Sequence, residues 1–195
     1  SATFAYNILL LMVIAGIIGI GTSSIVAVLG SAGLAVGLAL QGSLSNLAGG
    51  VLILLLKPFR VGDYIITAGA EGTVMSIDIF YTRIATTDNK VVVIPNGTIS
   101  NSNVTNTTKQ DERMLVLEFT VSLDANIEEV KTEIMKLIEG NERILHEMNR
   151  CVVVDKLTPV NIKMQAKAWT KSEDYWDVKY LLLEQISIVL QGFRG

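Results

Sequence analysis

Between Ser1 and Leu56 the chain has no aspartate, glutamate, lysine, arginine or histidine, and its first charged side chain is Lys57. An uncharged apolar stretch of about 20 residues crosses a hydrocarbon core roughly 30 Å thick, so this segment has room for two spans. A secretory signal does not explain it, because a signal's apolar core is only about 7–15 residues long and follows a basic start. Cysteine and histidine are nearly absent too, with one Cys151 and one His146. No internal disulfide can form, which fits a reducing cytosol for the charged part. Nor can one chain assemble a Cys/His nucleophile pair or a His/Cys metal cluster. No enzyme, cofactor or metal is therefore expected; His146 reads as a surface residue and Cys151 as a strand residue. An excess of basic charge is also missing. A net charge of -3 and a pI near 5.2 argue against nucleic acid as a partner, since phosphate binding wants a basic face.

The uncharged segment divides into "FAYNILLLMVIAGIIGI", Phe4 to Ile20, a short "GTSS" turn in which Thr22 or Ser23 can cap the next helix, and a second span from about Ile25 to Leu56. The second is longer than a bilayer needs and is expected to break near Gly42, which is followed by Ser43 and Ser45. Lys57 and Arg60 follow it directly. By the positive-inside tendency they place the remainder of the chain in the cytoplasm.

Beyond "KPF" the periodicity changes. Short β-branched and aromatic runs separated by "AGAEG" and "TTDNK" predict four or five antiparallel strands between Val61 and Asn106, forming a small barrel or sandwich. From Arg113 the pattern becomes strand, amphipathic helix, two strands and a second helix. Asn126 and Glu129 stand at capping-box spacing, and Ser172 is the expected cap of the last helix. This order suggests an α+β layer of ferredoxin-like type. The expected division is residues 1–56 membrane, 57–108 β domain and 109–195 α/β domain. Three Asn-x-Ser/Thr matches, beginning at Asn96, Asn103 and Asn106, read as a turn and a polar strand, the first carrying a Pro95-Asn96-Gly97 turn. "GSAGLAVG" lacks the Gly-Lys-Ser/Thr of a phosphate-binding loop.

The glycines of the second span call for a reason, since each costs about 0.8–1.0 kcal/mol against alanine inside a helix. On a helical wheel with Leu34 at zero, Leu38 falls at about 40°, Gly33 and Gly37 near -100° and -60°, and Ala35 and Gly42 near 100° and 80°. A narrow leucine stripe is thus bordered on both sides by small residues. Small faces let helix backbones approach closely in lipid. Two different small faces suit a head-to-tail ring with the leucines at its axis, where they form a hydrophobic constriction. A generic small-xxx-small contact with the leucines turned to lipid fits the same geometry.

"VLGSAGLAVGLALQGSLSNLAGGVLILLLKPFRVGDYI" and "VVVIPNGTISNSNVTN" closely resemble the bacterial small-conductance mechanosensitive channels. The resemblance covers nearly the whole chain in the family's order: a membrane α-helical pore, a cytoplasmic mainly-β domain of Sm-like small-barrel type, and an α+β ferredoxin-like domain. It implies a homoheptamer in the bacterial inner membrane, multi-pass, opened by lipid-bilayer tension and releasing ions and small osmolytes on osmotic downshock. By resemblance Leu34 and Leu38 are the pore constriction, and Ala27, Ser31, Gly33, Ala35 and Gly37 the residues along which pore helices pack. Gly42 matches a kink and Gly50 a second hinge associated with inactivation. Asn46 matches an asparagine that meets the β domain near Asn96 and Gly97, and Leu40 the residue coupling outer helices to the pore. Ser31 stands where a common family member has alanine. The chain begins at what resembles the family's second transmembrane helix and stops at "LQGFRG", before a final strand, so a partial chain is expected. The alternatives are a membrane-anchored interaction module and a channel of this family gated by a cytosolic ligand.

Overall fold

The computed structural model describes residues 2–19 and 21–193. Ile20, the expected end of the first span, and Arg194 and Gly195 lie outside the described residues. The elements run α1 (Ala2–Ile17), α2 (Thr22–Leu56), β1 (Tyr64–Thr67), β2 (Ala70–Ile77), β3 (Tyr81–Ala85), β4 (Val91–Pro95) and α3 (Asn96–Ser100). They continue with β5 (Val104–Asn106), β6 (Glu112–Val121), α4 (Ile127–Glu139), β7 (Cys151–Leu157), β8 (Ile162–Lys171) and α5 (Tyr175–Gln191). The chain forms two compact units, Ser1–Gly62 with Thr67–Val104, and Asp63–Ile66 with Thr105–Gly195.

In the first unit, α2 dominates. Its 35 residues span about 52 Å at 1.5 Å per residue. Among the described residues one helix, Ser23–Leu56, is long and apolar enough to cross a membrane; the apolar Tyr6–Ile17 stretch of α1 is shorter. Among the described residues the first of the two expected spans is thus a shorter apolar helix and the second a helix of full membrane length. The turn between them uses Gly19 at φ 80°, a left-handed position that glycine adopts without a Cβ clash. Neither Thr22 nor Ser23 is the N-cap of α2: Gly21 holds that position with no side-chain cap bond, and its carbonyl accepts from the Ser24 N–H at 3.1 Å. The Thr22 side chain lies outside the described residues.

Helix α2 is also unbroken at Gly42, against expectation: helical structure continues through Gly42 and Gly50 to Leu56. A glycine removes a side chain but keeps both backbone hydrogen-bonding groups, so it weakens a helix without having to interrupt it. The helix stops instead at Lys57, in left-handed geometry (φ 47°, ψ 54°), whose N–H donates to Ile53 O. Pro58 follows, and proline has no N–H to continue the ladder. Strands β2, β3 and β4 then form an antiparallel meander, with Val74 opposite Ile84 and Thr82 opposite Ile94. Their inward residues, with Phe59, Ile53 and Ile99, make this unit's core. In the β3–β4 turn the Lys90 ammonium, and after it the Thr86 hydroxyl, hold the Asp88 carboxyl below the usual carboxylate range.

The second unit is an antiparallel sheet in the order β6-β8-β7, with α4 and α5 packed on it. Strand β8 alternates strictly, burying Ile162, Met164, Ala166, Ala168 and Thr170, the period-two pattern of a sheet with one covered face. Helix α4 buries Val130, Ile134 and Ile138, and α5 Val178, Leu182 and Ile186, each set at i, i+4, i+8 spacing. Asn126 caps α4 as expected, accepting from the Glu129 N–H at 3.4 Å. Ser172 does not cap α5, whose N-cap is Asp174; its hydroxyl donates to Gln110 O and its N–H to Asp111 O. Strands β1 and β5 are hydrogen-bonded neighbours in the five-stranded order β4-β3-β2-β1-β5, and Asn106 Nδ2 donates to Asp63 Oδ2 at 2.7 Å.

Ile134 is fully buried, and truncating such a side chain removes about 2–5 kcal/mol. Ile134→Ala is expected to lower the unfolding free energy of the detergent-solubilised chain, measured by urea titration, by that amount, whereas the exposed Lys136→Ala stays within about 0.5 kcal/mol. Equal shifts in the two variants would mean that α4 does not supply this core.

Candidate functional site

Two adjacent glycines in a leucine-rich helix are costly unless something must come close. In the first unit something does. A Cβ on Gly50 would lie 2.2 Å from Ile79 O and 2.6 Å from Asn96 Nδ2, and one on Gly49 2.6 Å from the Asn96 carbonyl. The helix is seated on backbone, on the turn between β2 and β3 and on the start of α3, at a separation that no other residue allows. Gly97 completes the contact from the other side: a Cβ there would meet Asn46 Oδ1 and Ser45 Oγ, each at 2.8 Å.

The expected Pro-Asn-Gly turn is the start of helix α3. Proline at φ -59° precedes its first residue, suiting a helix start because no donor is lost there. The first amides of a helix have no intrahelical acceptor. Here they find two: Asn96 N–H donates to Phe80 O at 2.9 Å, and Gly97 N–H donates to Asn46 Oδ1 on α2 at 3.0 Å. The Asn96 side chain is fully buried and makes three bonds. Its Nδ2 donates to Asp78 O at 2.8 Å and Ile79 O at 3.1 Å, and its Oδ1 accepts from the Thr82 hydroxyl at 2.8 Å. Both amide atoms are thus satisfied away from water, as burial of a polar group demands.

No titratable side chain takes part in this clasp. Asp78 contributes its carbonyl, while its carboxylate forms an ion pair with Arg83 at 3.1 Å, both side chains about half exposed. The site holds no nucleophile and no acid–base pair, and among the described residues no group of three His, Cys, Asp or Glu side chains could hold a metal. What it offers is mechanical: a neutral, closely fitted attachment of α2 to α3 and the β2–β3 turn.

Of the residues singled out in the sequence, the structure brings together Asn46, Gly50, Asn96 and Gly97. It gives Gly50 a packing reason beside its expected role as a hinge. Leu34, Leu38 and Leu40 are exposed on α2, as are Ala27, Ser31, Gly33, Ala35, Gly37 and Gly42. A Cβ at Gly33, Gly37 or Gly42 would meet nothing within 4 Å. The Ser31 hydroxyl turns back on its own helix, donating to Val28 O at 2.9 Å. Sequence reasoning missed Thr82 and the carbonyls of Asp78 and Ile79, for which no local signal exists, and it gave Gly49 no role although the Gly-Gly pair was a signal of close approach.

Comparison with known proteins agrees with these elements. Residues 42–109 match the family model described as "Mechanosensitive ion channel, beta-domain", and residues 115–191 that described as "Mechanosensitive ion channel MscS, C-terminal". An "Uncharacterized MscS family protein" of Buchnera aphidicola is 40% identical over 84% of this chain and 59% of its own length. A "Small-conductance mechanosensitive channel" of Helicobacter pylori is 32% identical over 97% of this chain and 70% of its own. The crystal structure of Helicobacter pylori MscS in a closed state superposes with a TM-score of 0.85 at 31% identity, covering 94% of this chain and 73% of that one. The chain spans 59% to 65% of the length of the first curated relatives that it matches.

The two kinds of glycine separate in a substitution experiment. Gly49→Ala and Gly50→Ala drive a methyl group into backbone and are expected to destabilise the first unit by about 1–3 kcal/mol. Gly42→Ala enters open space and is expected to stabilise the helix by up to about 1 kcal/mol. Hydrogen exchange at residues 46–53 and 96–99 checks this, with faster exchange expected only in the first two variants; protection retained in Gly50→Ala would remove the close-approach argument.

Proposed function

This chain belongs to the MscS family of mechanosensitive ion channels, and from that premise we propose that it forms a tension-gated, weakly selective pore releasing ions and small osmolytes on hypo-osmotic shock. Membership of a channel family makes it a membrane protein and sets it apart from enzymes. The finer placement, multi-pass in a bacterial inner membrane with residues 57–108 and 109–195 as cytoplasmic domains, is supported by Lys57 and Arg60 directly after the uncharged segment.

The observation that carries the reading is the first half of α2. It has no charged residue, it exposes Leu34 at 65% and Leu38 at 62%, and it borders them with glycines facing open space. Seven copies arranged head to tail set the Gly33 and Gly37 flank of one helix against the Ala27, Ser31 and Ala35 flank of the next. That arrangement turns Leu34 and Leu38 to the axis as two stacked apolar rings, and such a constriction excludes ions by dewetting. Tension favours whichever state has the larger area in the membrane plane, a differential stability that needs no ligand. In the open state the helices slide on their small faces and the leucine rings separate and wet. Leu40 transmits force from the outer helices, Gly42 and Gly50 are the places where the pore helix bends, and the Asn46–Gly97 contact couples it to the β domain.

Patch-clamp recording under graded suction tests the reading. A serine at position 38 gives water a hydrogen-bonding wall without adding bulk, so Leu38→Ser is expected to open at lower tension or leak at rest. Leu29→Ser, on the back of the same helix, is not expected to leak. A leak confined to Leu29→Ser would place the wrong face at the axis, and no conductance at any tension in the wild type would favour a membrane-anchored interaction module. Assembly has its own check: native mass spectrometry is expected to give a heptamer, and a stable dimer would overturn the ring.

A further inference from the structure

Asn96 can hold its three bonds in only one amide orientation. Backbone carbonyls accept and never donate, so the atom facing Asp78 O and Ile79 O must be Nδ2. Oδ1 is then left pointing into a dry interior, since Asn96 and Thr82 both have no accessible surface. Among the described residues the one donor bonded to Oδ1 is the Thr82 hydroxyl, at 2.8 Å. Thr82 is itself fixed independently of this contact, paired with Ile77 on β2 and with Ile94 on β4. It is a stationary post on a strand ladder. The carbonyls on the other side of the amide belong to a tight turn, closed by Asp78 N–H donating to Tyr81 O at 2.8 Å.

We infer that Thr82 is a positioning residue for the coupling of α2 to the β domain: its hydroxyl locks the Asn96 amide in the orientation that holds the β2–β3 turn beneath Gly50. Without it, Oδ1 is a buried acceptor with no donor. Low local polarity makes that state costly, so the side chain leaves for a rotamer in which Oδ1 finds another donor. Leaving releases the Asp78 and Ile79 carbonyls. Ile79 O is the atom against which Gly50 is seated, so the seat of the helix loosens with it. Thr82 thus acts through Asn96. The functional consequence rests on the channel reading above: a looser seat shifts the populations that differ in how α2 meets the β domain, and hence the decay of current under sustained tension.

Hydrogen exchange on the liposome-reconstituted full chain tests the positioning role without reference to current. Thr82→Val keeps the shape and removes the hydroxyl, whereas Thr82→Ser keeps the hydroxyl and removes the methyl. The Asn96 and Gly97 amides, bonded to Phe80 O and Asn46 Oδ1, are expected to exchange about tenfold faster in Thr82→Val, with α4 unchanged as internal reference, and within about threefold of wild type in Thr82→Ser. Wild-type protection in Thr82→Val, or equal loosening in both variants, overturns the inference, the second because it would make the methyl group's packing responsible. In patches from the same liposomes, the rate of current decay under sustained tension is expected to change about threefold in Thr82→Val and to recover in Thr82→Ser. Wild-type decay in Thr82→Val overturns the functional half alone. Absence of any tension-activated current in the wild type overturns the channel reading and leaves the exchange result standing.

Discussion

The backbone of α2 comes within reach of the backbone of α3 and of the β2–β3 turn, and that approach is the constraint around which the first unit is arranged. With Gly49 and Gly50 seated on Asn96 and Ile79, no side chain fills the gap. Polar backbone groups that are normally kept apart by side chains are pushed together away from water. Each must find a partner there, because an unpaired buried carbonyl or amide costs about as much as the bonds gained. The Asn96 side chain is the solution. A short amide can donate twice and accept at once, and here it does all three. A leucine of similar volume would fill the space but leave the Asp78 and Ile79 carbonyls without this donor.

The same constraint explains why the start of α3 is a helix and not the turn that its Pro-Asn-Gly sequence suggests. A turn would present one or two amides to α2; a helix start presents a set of unpaired donors pointing in one direction. Asn46 on α2 accepts one of them, and the Phe80 carbonyl another. The join between a membrane-length helix and the β-strand part of the first unit is therefore made of neutral hydrogen bonds. Surface ion pairs are screened by salt and contribute little. On the proposed reading this contact carries force in an ionic medium, and it gains from not depending on them.

Periodicity made most of the architecture legible. The uncharged segment, the change to short β-branched runs after Phe59 and the strand-helix-strand-strand-helix order all emerge from patterns that span many residues, and all are present in the structure. Local signals fared less well. Ser172 had the chemistry of a cap but is held by the Gln110 carbonyl, a partner far away in sequence. Gly42 had the chemistry of a break, yet a Cβ there would meet nothing within 4 Å, and a glycine that keeps both backbone hydrogen-bonding groups weakens a helix without interrupting it. Asn96 and Gly97 read locally as a turn, and their meeting with Asn46 entered through resemblance alone. Their geometry depends on Thr82 and Asp78, which stand fourteen and eighteen residues away, and no pattern within one stretch of sequence encodes such a pairing.

The glycines of α2 fall into two groups, and the difference bears on how the helix is used. Each glycine costs the helix up to about 1 kcal/mol relative to alanine. At positions 49 and 50 that cost is offset inside the chain, by a contact that only glycine permits. At positions 33, 37 and 42 nothing in the chain offsets it, since a methyl group there would meet open space. The compensation for the second group has to come from outside. Lipid is a poor source, because a small-residue face offers acyl chains less surface to pack against than a leucine face. Another helix is a better one, because close approach restores the lost contacts and adds backbone-to-backbone dispersion. On the proposed reading that helix is the neighbouring copy of α2. The first half of the helix then carries smooth faces that slide, the second half carries a fitted seat that holds, and Gly42, helical in this structure, is the weak point between them. Sliding without a fixed end would move the leucines but transmit nothing to the β domain. A fixed end without sliding faces would hold the constriction shut at any tension. On the proposed reading the arrangement works as a gate because one helix contains both.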